Sequence, residues 1–199
     1  MTNKPIEYTE KYTPLTRAEI IEEVQKNMSK QRMQHVLRVE ETALQLAEKY
    51  GADLEKVSIA AIIHDIAKQQ EDSEMRDIII SENLDLDLLQ YGNAIWHGPV
   101  GAILARRQFE IEDEEILRAI ENHTIGAPEM SLVEQVIFVA DYIEPGREFT
   151  GVEKARAIAA ESLNEAVKYE IQETLKHLIE KQQRIYPRAI ESYNAWVAE

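Results

Sequence analysis

Cysteine is absent from the 199 residues. That excludes disulfides, thiolate metal sites and cysteine nucleophiles. Any bound metal must then be held by histidine nitrogen and carboxylate oxygen. Glycine is scarce, with seven residues, and several stand where helices should end or turn. Base is also in short supply: 22 Lys and Arg face 37 Asp and Glu, a net charge of −15. So acidic a surface repels nucleic acid and anionic membranes. It does not exclude a small polyanion whose pocket carries its own cations. No apolar run is long enough to span a bilayer. The first residues, "MTNKPIEYTEKYTPLT", lack the apolar core of a signal peptide, so the expected location is the cytoplasm. Sustained two-residue alternation is missing too, which leaves helical periodicity nearly everywhere.

What is there reads as an all-α chain. Thr16 and Glu19 in "TRAE" form a capping box that opens a first helix. A second runs from about Ser29 to Tyr50 and stops at Gly51. A third starts near Asp53 and carries "IAAIIHDIAK", and a fourth covers roughly Ser73 to Asn83. Asp85 to Tyr91 reads as a short helix. After "YGNAIWHGPVGA" a helix continues to about Phe109. The next, in "IEDEEILRAIENH", is acidic at its start, which suits the positive end of the helix dipole. Ser131 and Glu134 make a second capping box, for a helix that ends near Pro145. A long amphipathic helix follows from Val152, with a break expected near Ser162, and Pro187 starts or kinks a terminal one. No repeat or linker divides the chain, and the length suits one good-sized core.

The chemistry concentrates in a few residues. Of five histidines, His35, His64, His97 and His123 fall in the first two thirds. Asp65 and Asp141 are embedded in apolar sequence. A buried carboxylate needs a cation or several hydrogen bonds. A lone helical histidine is more often a surface or satisfied core residue; His177, off its helix's apolar stripe, is read as solvent-facing. Four imidazoles and two such carboxylates on separate helices have no common structural excuse, and they suit a metal cluster. Arg32 and Arg38 lie three residues either side of His35, Lys68 three after Asp65, and Arg147 just past the helix of Asp141. In a base-poor chain these cations suit a phosphorylated ligand.

The order His35, His64–Asp65, Asp141 resembles the signature of the HD-domain phosphohydrolase superfamily. The stretches "RMQHVLRVEETALQLAEKYG", "AAIIHDIAK", "WHGPVGA", "ENHTIG" and "VADYIEPGR" together are similar to the YqeK-type symmetrical bis(5′-nucleosyl)-tetraphosphatases. The resemblance covers about Arg32 to Arg147, and "YPRAIESYN" also fits. It implies an HD-domain helical bundle over residues 29–199, with residues 1–28 as an N-terminal extension and first helix.

The same resemblance implies a dinuclear site. His35, His64 and Asp141 would bind one divalent metal, His97 and His123 a second, and Asp65 would bridge them. Iron is the expected metal, with manganese and cobalt as alternatives. The implied activity is hydrolysis of diadenosine tetraphosphate to two ADP, with Asp65 and Lys68 as catalytic residues. Arg38, Lys68, Thr124, Arg147 and Arg188 would contact the substrate. The expected partner is a small dinucleoside polyphosphate or ADP-like nucleotide, with no nucleic acid and no membrane. The C-terminal helices could pack within the chain or against a second copy in a homodimer. Three other readings keep the fold: a nucleotidase or nucleoside triphosphate hydrolase, a nucleotide sensor with little turnover, and a di-iron oxygenase.

Overall fold

Local capping sets the first boundaries. A computed structural model of the chain describes residues 6–198. Helix α1 (Arg17–Lys26) opens on the expected box: the Glu19 carboxylate accepts from the Thr16 backbone N–H at 2.8 Å, and the Thr16 hydroxyl accepts from the Glu19 N–H. Helix α2 (Lys30–Tyr50) is capped by Ser29 and ends at Gly51, whose φ of 82° closes the turn. Helix α3 (Leu54–Ile63) starts on Asp53 and is buried at every position from Val57 to Ile63. A helix apolar all round belongs at the centre of a bundle. It packs on α2 and α1, and on two later helices, α6 (Glu114–Asn122) and α7 (Leu132–Ile143).

Helix α4 (Asp72–Ser81) and a 3₁₀ turn (Leu86–Gln90) lead into α5 (Asn93–Phe109). The chain closes with α8 (Val152–Ala159), α9 (Leu163–Glu180) and α10 (Pro187–Trp196). Ser162 caps α9 and marks the expected break, while Pro187 occupies the first turn of α10. Among the described residues there are ten α-helices and no strand.

Two boundaries differ from the sequence reading. The helix ending at Phe109 already begins at Asn93 and carries Gly98 and Pro99 within it. Pro99 is the seventh residue of this helix, past the first turn, so it removes the bond its N–H would have made to the Ile95 carbonyl. Gly98 has a packing reason, since a Cβ there would collide with the Glu121 carbonyl of α6. The third helix ends at Ile63 rather than running through "IAAIIHDIAK". The chain tightens into i→i−3 bonds, from Ile66 to Ile63 and from Lys68 to Asp65, each 2.9 Å. Side chains three apart eclipse in such turns, so Asp65 and Lys68 share one edge.

Residues 6–28 join the same core: Tyr12, Ile20 and Val24 are buried. The first five residues of the expected extension lie outside the described residues.

Candidate metal centre

Five helices and their ends converge on one buried point. His35 comes from the middle of α2, His64 and Asp65 from the end of α3, and His97 from the second turn of α5. His123 caps the end of α6, and Asp141 lies in the last turn of α7. His35, His64, Asp65, His97 and His123 are buried, and Asp141 is partly buried. All six expected ligand residues are thus brought together, whereas His177 is exposed on α9.

The imidazoles share one orientation. Nδ1 of His64, His97 and His123 lies 2.7 Å from the carbonyl oxygens of Ala61, Asn93 and Ile120. Nδ1 of His35 lies 3.1 Å from Glu144 Oε1. A carbonyl or carboxylate oxygen can only accept, so Nδ1 carries a proton in each ring, and a neutral ring keeps its lone pair on Nε2. Around His35, burial is outweighed by the Asp141, Asp65 and Glu144 carboxylates, which raise its pKa to about 9. All four Nε2 atoms then face Asp65. Its Oδ2 is 3.5 Å from His35 Nε2 and 3.4 Å from His64 Nε2. Its Oδ1 is 3.5 Å from His97 Nε2 and 3.9 Å from His123 Nε2. Asp141 Oδ1 joins the first pair, 3.1 Å from His35 Nε2.

This arrangement is poorly satisfied by protein alone. Nε2 of His35 and of His64 are buried without a hydrogen bond. His97 and His123 bring their Nε2 atoms within 2.9 Å of each other. With both Nδ1 atoms donating to carbonyls, two lone pairs face each other across that gap. Burial first, then neighbouring His123 and Lys68, pushes His97 down to about 3. Burial and His64 push His123 down to about 4. Both rings therefore stay neutral and able to donate to a cation near neutral pH. The donor set of imidazole and carboxylate fits divalent metal, and two ligand groupings that share His64, His35–His64–Asp141 and His64–Asp65–His123, each have donor atoms within 4.8 Å of one another.

Around this cluster stands a ring of cations. Arg32 Nη1 pairs with Asp65 Oδ2 at 2.9 Å. Arg147 pairs with the Asp141 carboxylate and donates from Nε to its carbonyl at 2.8 Å. Lys68 Nζ lies 3.4 Å from His97 Nδ1. Thr124 Oγ1 is 3.2 Å from His97 Nε2 and 3.1 Å from His123 Nε2. Arg32, Arg38 and Arg147 also line a polar cleft of about 270 Å³ that opens on His35. Arg188 is placed elsewhere: it pairs with Glu121 at 2.7 Å and lines a different cavity.

Glu144 is the residue that sequence reading passed over. Arg38 holds it with bonds of 2.6 and 3.2 Å, and the Gly146 N–H adds a third at 2.5 Å. These donors and His35 outweigh burial and bring its carboxyl down to about 2. A Cβ on Gly146 would strike the Arg38 guanidinium, so this glycine keeps the Arg38–Glu144 pair in place. The signal was present in "IEPGR": an acid at the end of the same apolar tract as Asp141, followed by a tight turn.

The HD domain family model matches residues 32–146. The chain belongs to the HD domain family. Two relatives named symmetrical bis(5′-nucleosyl)-tetraphosphatase extend this HD likeness over nearly the whole chain. One, from Halalkalibacterium halodurans, is 43% identical over 185 residues, 93% of this chain and 99% of the relative. The other, from Bacillus subtilis, is 43% identical over 180 residues, 90% and 97% of the two chains. A solved HD superfamily hydrolase from Clostridium acetobutylicum, described as involved in NAD metabolism, superimposes with a TM-score of 0.88 at 38% identity. That likeness covers 92% of this chain and 98% of the other. The all-helical bundle expected from sequence is the fold observed.

Proposed function

We propose that this HD domain chain is a symmetrical bis(5′-nucleosyl)-tetraphosphatase, a metal-dependent hydrolase that cleaves diadenosine tetraphosphate to two ADP. The kinship with the tetraphosphatases supports the reaction. The observation that carries the mechanism is the division of Asp65, one oxygen toward His35 and His64 and the other toward His97 and His123. His35, His64 and Asp141 would hold one cation, His97 and His123 the other, and Asp65 both. We take the metal to be iron, with manganese and cobalt suited to the same donors. When bound, such a pair supplies Lewis acidity and a water of lowered pKa.

The chain's own residues do the rest. Lys68, Arg32 and Arg147 stand beside the cluster and can bind tetraphosphate oxygens, arginine in two-point contacts. Their charge offsets the negative charge that builds on the departing ADP. Water adds to the second phosphorus from one nucleoside, the central P–O–P bridge breaks, and both products leave as ADP. Arg38 lies on the same cleft, but its guanidinium is engaged with Glu144, so we assign it first to holding that carboxylate.

Incubating the protein with diadenosine tetraphosphate and ferrous or cobalt ion, and resolving the nucleotides, tests this reading. ADP as sole product, abolished by chelator, is expected. AMP plus ATP would overturn the symmetrical register, and hydrolysis of mononucleotides alone would move the chain to the nucleotidases.

A further inference from the structure

The cluster has two unlike mouths. Its His35 end opens on the arginine-lined cleft. Its His97–His123 end meets a partly open cavity of about 180 Å³ walled mainly by Ile95, Ile125, Phe138, Ile171, Leu175 and Leu178. Three of these walls continue the ligand segments, and the other three come from α9. Ile95 precedes His97 by two residues on α5, Ile125 follows His123 by two, and Phe138 precedes Asp141 by three on α7. Thr124 lies at the junction: it lines the cavity while its hydroxyl sits within 3.2 Å of both His97 and His123 Nε2.

We propose that this cavity takes one nucleobase of the substrate, while the arginine cleft takes phosphates of the other half. The inference rests on the nucleotide reading above. A base offers two flat apolar faces and a polar edge, joined by a sugar to phosphates bound at the cluster. The cavity matches each part: apolar walls from three helices, and Thr174, Gln183 and Arg184 among its lining to meet the edge. Charged phosphate gains nothing from such walls, and a base gains little from three arginines already paired with carboxylates. A substrate with two chemically identical halves is therefore held in one polarity. The half whose base is buried sets how far the chain of phosphorus atoms extends over the cluster, so the cavity selects the bond that breaks.

Methyl NMR on the metal-loaded full chain tests this. Adding ADP, and separately adenosine without phosphates, should shift the isoleucine δ1-methyl signals of Ile95, Ile125 and Ile171 by ring current. Ile20, buried on α1, should stay unmoved. Thr174→Phe and Ala189→Phe enlarge two partly exposed cavity residues. Each should suppress those shifts and raise KM for diadenosine tetraphosphate about tenfold or more, the scale of losing one stacked base, with metal content unchanged. Silent methyls in the wild-type chain would overturn the inference even if hydrolysis proceeds, and the functional reading would then stand without it. Methyl shifts without hydrolysis would keep the cavity as a base site and overturn the tetraphosphatase reading. The wild-type titration decides the matter even if neither variant folds.

Discussion

At the scale of single residues, two carboxylates do different work. Asp65 faces four Nε2 atoms and one arginine. Asp65→Ala should lose bound metal and hydrolysis together, read by elemental analysis beside turnover. Full activity in a metal-free Asp65→Ala protein would contradict the assignment. Glu144 acts one bond further out, fixing the tautomer and the aim of His35. Glu144→Gln should keep the fold but weaken metal affinity by about 10–100-fold, the usual cost of losing such a partner. A competitive chelator titration measures it, and unchanged affinity would reduce Glu144 to a structural role.

At the scale of elements, close approach explains the centre. Gly98 lets α5 lie against the end of α6, and the rings of His97 and His123 meet there with centroids 4.8 Å apart. Gly98→Ala should destabilise the chain by about 1–3 kcal/mol, the range for overpacking, and lower Tm by roughly 2–4 °C for each of those kcal/mol. A variant with unchanged Tm would mean that the helices can slide apart freely. Much of this level was legible in the residues. Both capping boxes, Asp53, Gly51, Ser162 and Pro187 mark their boundaries through local hydrogen bonding or backbone shape, which sequence carries directly. The early start of α5 and the tightening after Ile63 were not legible, because packing against α6 and the shared cluster decides them. For the site, apolar flanks and histidine count pointed to the six residues that meet. The pairing of Arg38 with Glu144 and of Arg188 with Glu121 depends on tertiary contacts, so neither could be read from spacing.

At the scale of the whole molecule, an acidic protein keeps its cations where they are needed. Arg32, Arg38, Lys68 and Arg147 gather at one site of a chain with a net charge of −15. One buried acid stands outside that logic. Glu170 on α9 is buried, its Oε2 has no partner, and burial, with a smaller push from Asp141, raises its pKa well above the ordinary 4.5. The folded chain holds that proton while the unfolded chain releases it above about pH 4.5, so Glu170 erodes stability as pH rises from there toward its folded-state pKa. Glu170→Gln should be more stable than wild type at neutral pH. The Tm difference should widen between pH 5 and pH 8 at fixed metal loading; a constant difference would mean that Glu170 ionises in the folded state as it does in the unfolded one.

If two metals held through Asp65 split the tetraphosphate at its middle, metal stoichiometry and product identity are linked. Following ADP release from diadenosine tetraphosphate while metal is added stepwise to metal-free protein checks that link. ADP should be the sole product, and the rate should saturate at two equivalents of metal per chain. Saturation at one equivalent, or AMP with ATP among the products, would contradict it.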